Sequence, residues 1–350
     1  MLQSYEYIME LQFSFYKKLI KYIARIVLPL ALATAILWWM YRDFAWDDFR
    51  EALTHKMDWT WMWLSFPFGI SAQVFRALRW KQALAPMGEH PRHSTASAAI
   101  FISYASSLVL PRVGEVLRCA ILRRYDGVSF TRSVGSVVTE RVIDMVMILL
   151  LSFATVLCQI PVFIRFCRQT GLSMDSVFGQ FTATGYMVTA LCILAILLTL
   201  VILTRRFRTA MRTKGLLCDL RDGLLSVAKV DNLPLFLFYS AGIWLSYFLH
   251  FYLTFFCFGF TTSLGVTVAL MAFVVGCFAV IVPTPNGAGP WHFAVKTILV
   301  LYGVDATQAA TYALTVHTLQ TLLVAALGIY AVGVLAIVRA RNTSETPYNK

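Results

Sequence analysis

Long apolar runs alternate along the chain with short polar connections that are often basic. Runs of about 20 apolar residues match the thickness of a bilayer's hydrocarbon core and read as helical spans. Six are expected, over 22–41, 59–80, 133–159, 181–203, 235–258 and 306–338. Two other apolar stretches differ in kind. The run 94–110, dense in Ala and Ser, stops at Pro111 and restarts at Gly114, ending at Tyr125 before Asp126-Gly127. Proline lacks an amide hydrogen and clashes with the preceding turn, so it ends a helix. The restarted segment rises only about 18 Å, enough to half-cross. The run 262–282 breaks over Pro283–Gly289 and restarts as 291–302, stopped by Gly303. Both stretches read as re-entrant helical hairpins, whose bare backbone is tolerated at depth only inside protein or beside a water-filled cavity.

The order span, span, hairpin, span occurs twice. The fold class expected is therefore an all-α polytopic membrane protein, six spans plus two re-entrant hairpins in a 3+3 inverted repeat, as in secondary transporters. Echoes in the sequence agree. Gly127-Val128 matches Gly303-Val304, and the same offset sets Arg132 on Gln308, Thr139 on Thr315, Arg141 on His317 and Asp144 on Gln320. Residues 1–21 are expected as an interfacial amphipathic helix. Residues 22–338 would form the transporter domain, with repeats over 22–159 and 181–338, and 339–350 a polar tail. The segments 42–58 and 161–180 read as polar loops, and 205–229 as the most basic one.

Composition fits this class: the 350 residues are 59% hydrophobic and 14% charged, against about 25% charged in soluble domains. The net charge of +12 is carried by basic residues at span ends, which face anionic lipid rather than nucleic acid. The positive-inside rule puts both termini, the 79–92 region, the base of the first hairpin and the 205–229 loop in the cytoplasm. The hairpins then enter from opposite sides. No cleavable leader is expected, because the first apolar run starts late and lacks an A-x-A end. The seven cysteines form no CxxC pair, so neither disulfides nor a metal site is expected. No GxSxG, HExxH, Walker A or GxGxxG motif occurs. No cofactor, no enzyme activity and no ATP-driven pump within this chain are expected.

Chemistry concentrates at the two breaks. A helix N-terminus offers unpaired amide donors and about half a positive charge, which suits phosphate or carboxylate. The head-group candidates are Arg112, Gly114, Glu115 and Arg118 in the first hairpin and Asn286, Gly287, Gly289, His292 and Lys296 in the second. Glu115 and Arg118 share a face at i, i+3. They would serve an anionic head group, Glu115 holding Arg118 or exchanging a proton, or they form a salt bridge that only locks the hairpin. His292 and Lys296 share a face at i, i+4. His292 could titrate near neutrality or act as a helix contact. Glu140, Arg141 and Asp144 open the third span as a gate or proton relay, or as an interfacial cluster that snorkels to the cytoplasm. His317 and Gln320 are their repeat partners.

The stretch LPRVGEVLRCAILRRYDGVSFTRSVGSVVTERVID resembles the first motif region of the lysylphosphatidylglycerol synthase transmembrane, or flippase-like, family. Pro111, Gly114, Glu115, Arg118, Gly127, Glu140, Arg141 and Asp144 fit its pattern, with Arg112 one place after the proline. VPTPNGAGPWH is similar to the second motif through Pro283, Thr284, Pro285, Gly287 and Gly289. Asn286 replaces a glycine there, and His292 stands where an acid is usual. The resemblance implies a membrane domain with two re-entrant helices that moves an anionic or phosphate-bearing lipid, a phospholipid or a polyprenyl-linked one, between leaflets of a bacterial inner membrane. Membrane lipids and an enzyme of lipid biosynthesis are the partners it implies, and a homodimer is compatible with it. Relatives with an aminoacyl-transferase domain make aminoacylated lipid, an activity not carried over here. The alternatives are a membrane enzyme on a lipid-linked sugar, with Glu115 or Asp144 as its acid, or a scaffold for envelope biosynthesis.

Overall fold

A computed structural model describes residues 27, 30–42, 46–110, 113–170 and 230–344. The expected N-terminal amphipathic helix, the fourth span, the 205–229 loop and Pro111-Arg112 lie outside them. The described residues are helical, with no strand among them. Among the described residues three helices are long and apolar enough to cross a membrane: Phe130–Gln159, Leu233–Cys257 and Ala306–Ala340.

Helix α1 (Leu30–Tyr41) leads to α2 (Trp46–Glu51) and a π turn over Ala52–Lys56. The expected 42–58 loop is thus partly helical, because Ala52 and Met57 are buried. Helix α3 (Trp59–Leu84) starts on Asp58, whose carboxylate accepts from the Thr60 amide. It runs one turn beyond the expected end at Trp80 and carries Arg76 and Arg79 well inside its length. The first hairpin is α4 (His93–Ser106) and α5 (Val113–Asp126). Helix α4 stops before Leu110, earlier than the proline alone would dictate. The Ser106 and Ser107 hydroxyls both donate to the Ser103 carbonyl, at 2.9 and 3.0 Å, and such local bonds compete with the helical ladder.

Helix α6 (Phe130–Thr170) continues through Pro161, where a loop was expected; long membrane helices tolerate proline when neighbouring groups re-satisfy the freed backbone. Helix α7 (Leu233–Tyr252) tightens into a 3-10 segment over Leu253–Cys257. After the single turn α8 (Gly259–Thr262), the second hairpin is α9 (Gly265–Ala279), a 3-10 turn at Pro285–Gly287, and α10 (Pro290–Leu301). Helix α11 (Ala306–Ser344) extends past 338 into the expected tail.

The two legs of each hairpin pack on one another, α4 on α5 and α9 on α10. Helix α3 lies along α7, α4 along α11, α9 along α6, α5 along α6 and α10 along α11. Small residues permit these approaches. A Cβ on Gly114 would overlap the Ser103 carbonyl oxygen, and one on Gly328 would overlap Ala105 Cβ. One core gathers Ala77, Trp80, Ala96, Ala99 and Leu122 around the first hairpin. The other, rich in Phe and including Met62, Phe255, Phe258 and Tyr312, lies beneath the second. Large apolar residues stay exposed on α6 (Met145, Leu149, Phe153) and α11 (Leu322, Ile329, Ile337), as lipid-facing helices require. At its open end the first hairpin is closed by Asp126, which accepts from the Arg92 amide and Nε, both at 2.8 Å.

Candidate functional site

Helices α3, α5 and α6 deliver their charges to one buried cluster. Arg76 Nη1 donates to Asp144 Oδ2 at 2.7 Å, and Arg79 Nη2 to Asp144 Oδ1 at 2.9 Å. Arg118 Nη2 lies 2.6 Å from Glu140 Oε2, and Arg79 reaches Glu140 Oε1 at 3.7 Å. The Arg118 guanidinium sits over the Trp80 ring at 4.5 Å, and Trp80 Nε1 donates to Ser136 Oγ at 2.8 Å. Arg76 is flanked by the Tyr104 and Tyr247 rings, whose hydroxyls are joined at 2.9 Å. Buried ions must be paired or solvated by fixed polar groups; here each is paired, and Arg118 meets Glu140 as an ion contact without a well-directed hydrogen bond.

The pairing departs from the helical spacing. Glu115 does not hold Arg118; it pairs with Arg141 across the α5–α6 interface, at 2.7 Å. Arg141 also leans on Asp144 at 3.5 Å, one turn along α6. Four guanidinium groups (Arg76, Arg79, Arg118, Arg141) thus face three carboxylates (Glu115, Glu140, Asp144). The Arg76, Arg79 and Arg118 side chains are 4%, 0% and 1% exposed. Arg141 and Glu115 differ, at 43% and 38%.

Arg141 and Glu115 are less buried because they line a cavity of about 210 Å³ between the two breaks. Tyr104 and Ser107 line it from the first hairpin; Pro283, Thr284, Asn286 and Gly287 line it from the second. The breaks touch directly: the Asn286 amide donates to the Ser107 carbonyl at 3.1 Å. Asn286 takes the left-handed conformation, φ +51°, a region where Asn is among the favoured non-glycine residues. Its side chain donates to Thr321 Oγ1 at 2.7 Å, and its carbonyl accepts from His317 Nε2 at 3.1 Å. Gly287 (φ +72°) and Gly289 (φ +89°) supply the remaining left-handed turns. The Thr284 hydroxyl is buried, with no hydrogen-bond partner among the described residues.

The other candidates lie away from the cavity. His292 is buried, accepts from the Gly289 amide at 3.3 Å and lies tilted against His317, ring centroids 4.4 Å apart. Gln320 donates to the His250 carbonyl on α7. Lys296 is half-buried one turn beyond His292. Arg118, Glu140 and Asp144 back the cavity without lining it. Arg112 falls outside the described residues.

Sequence reasoning missed Arg76, Arg79 and the Thr284 hydroxyl. Two arginines at i, i+3 within an apolar helix were the available signal; read as the end of a span, they looked like interfacial charges.

These features define an integral membrane protein built of helices, in which two helical hairpins meet beside a buried guanidinium–carboxylate network. The family model described as "Lysylphosphatidylglycerol synthase TM region" matches residues 26–328, and the chain belongs to that family. No curated protein and no solved structure matches it. Membership links the chain to lipid handling.

Proposed function

We propose that the protein is a lipid transporter that carries the polar head of an anionic or phosphate-bearing lipid between leaflets while the tails stay in the bilayer. The observation that carries this reading is the cavity walled by both hairpin breaks, with Glu115 and Arg141 on one side and Thr284 and Asn286 on the other. A polar chamber formed by two interrupted helices at the interface of two repeats is how transporters place a substrate site. An enzymatic reading is less well supported, because Glu115, Glu140 and Asp144 are each ion-paired with arginine and none is poised to donate a proton.

An inverted repeat of 3+3 elements underlies this proposal. Exchanging α3 with α7, α4 with α9, α5 with α10 and α6 with α11 turns the observed packings into one another: α4·α11 into α9·α6, α5·α6 into α10·α11, α3·α4 into α7·α9. The aligned residues behave alike. Gly127 and Gly303 both end a hairpin with positive φ, and Val128 and Val304 are both buried. Asp144 reaches α3, and its partner Gln320 reaches α7. In this reading both termini are cytoplasmic, the membrane is a bacterial inner membrane, and a biosynthetic enzyme hands over the lipid.

The test is reconstitution in liposomes with a fluorescent phosphatidylglycerol whose outer-leaflet population is chemically quenched. Quenching of the inner-leaflet pool at a rate above protein-free vesicles is expected. Quenching that stops at half, with folded protein present, would end the transport reading. Cysteine labelling of an Arg123→Cys variant from the cytoplasmic side only is expected; labelling from outside would remove the inverted topology.

A further inference from the structure

Among the described residues the network is one negative charge short: Arg76, Arg79, Arg118 and Arg141 are opposed only by Glu115, Glu140 and Asp144. An uncompensated positive charge inside a membrane protein is costly. It is lowered by an anion that can reach it. Three of the four guanidiniums are sealed, so Arg141 is the one an incoming group can touch.

We propose that the cavity between the breaks is a site for a single-negative phosphodiester, in which Glu115 now occupies the place of the ligand on Arg141. The entering oxyanion displaces the Glu115 carboxylate and takes two contacts: the Arg141 guanidinium and the Thr284 hydroxyl. Thr284 lines this cavity, is 4% exposed, and its Oγ1 has no partner among the described residues. A buried hydroxyl without a partner carries a desolvation cost that an acceptor entering the cavity removes. A displaced Glu115 is not stranded, because it sits in the first turn of α5, where the helix dipole favours a carboxylate. Arg141 keeps its second contact to Asp144.

The cavity's size agrees with this ligand: a volume of about 210 Å³ is ample for a phosphate and its attached atoms. The anion could belong to a lipid head group or to a soluble phosphodiester. The assignment rests on the transport reading only for the lipid source; the anion site stands on its own geometry.

Binding to the full chain in neutral-detergent micelles tests it. The probes are phosphatidylglycerol, phosphatidylcholine and soluble glycerophosphoglycerol. Phosphatidylglycerol is expected to bind more tightly than phosphatidylcholine, which carries no net charge. Glu115→Gln removes the competing carboxylate and should tighten phosphatidylglycerol binding by about tenfold, while Arg141→Gln should weaken it by at least about tenfold and Thr284→Val by about fivefold. Thr284→Val keeps the side-chain shape and removes no hydrogen bond found among the described residues, so it reports on the ligand and not on folding. Equal binding by wild type, Arg141→Gln and Thr284→Val overturns the site, as does weaker binding by Glu115→Gln. The same variant pattern with the soluble probe alone supports the anion site and gives it a soluble ligand. Binding as expected without leaflet exchange overturns transport and leaves the site in place. Exchange that proceeds while all three variants bind like wild type does the reverse.

Discussion

Replacing Glu140 by Gln tests whether the ion network holds the helices together. Glu140 is 1% exposed and lies against Arg118 at 2.6 Å and Arg79 at 3.7 Å. Glutamine keeps the shape and removes the charge. Arg79 retains Asp144, but among the described residues Arg118 is left with only the Trp80 face, which it already has in the wild type. Breaking one partner of a buried ion pair costs about 3–5 kcal/mol, because the remaining charge is stranded. Glu115→Gln is the internal reference. Its pair with Arg141 is 38% and 43% exposed, and pairs with that access to solvent contribute about 0–1 kcal/mol. Reversible unfolding in mixed micelles, followed by helical circular dichroism as a denaturing detergent is titrated in, compares the two. The double variant Arg118→Met/Glu140→Leu should recover most of the loss, since removing both charges together is close to neutral. If Glu140→Gln costs no more than Glu115→Gln, the network is solvated and does not clamp α5 to α6.

Gly114→Ala should destabilise the first hairpin by about 1–3 kcal/mol or more through overpacking, because the new Cβ meets the Ser103 backbone. Gly127→Ala has open space but a φ of +70°, so only the left-handed penalty of about 1–2 kcal/mol applies; thermal midpoints that rank the two the other way would contradict the packing. Asp305 gives a pH signature at the N-terminal end of α11. Its carboxylate accepts from the Thr307 and Gln308 amides at 2.8 and 3.2 Å, and the Gln308 and Thr307 bonds hold its pKa below the usual range. A depressed folded pKa means the stabilisation is complete above the unfolded value, near 4, and fades as pH falls through the folded value. Unfolding measured from pH 6 down to pH 3 should therefore lose an increment that Asp305→Asn, a cap without a titratable group, does not lose.

The hairpins were legible because their signals are local. Pro and Gly at Pro111, Pro283, Pro285 and Gly289 interrupt apolar runs, and the segments after them are too short to span. Glu140, Arg141 and Asp144 could be singled out because charges are rare at that depth. Their partners could not be read, since pairing across helices has no fixed sequence offset. Spacing favoured Glu115 with Arg118, whereas packing of α5 on α6 gives Glu115 to Arg141 and Arg118 to Glu140. Arg76 and Arg79 were misplaced by one helical turn of boundary, because α3 continues to Leu84. Thr284 was visible only as a motif match; its meaning comes from a hydroxyl that has no partner among the described residues.

The two breaks are built from different chemistry, and the difference says which of them a ligand can move. The second break is fixed by neutral bonds: the Asn286 amide to Ser107, its side chain to Thr321 and its carbonyl to His317. An arriving anion changes the strength of those bonds little. A ligand shifts a conformational equilibrium only by its differential affinity for the two arrangements, so these contacts form the rigid wall. The first break presents the Glu115–Arg141 pair to the cavity, a contact that an anion competes for directly. The repeat alignment sharpens this: Arg141 and Asp144 on the charged side stand against His317 and Gln320 on the other. Within this reading the pseudo-two-fold frame supplies the chamber and the broken symmetry of its charges supplies the response, with α5 as the element that moves and α10 as the one that holds.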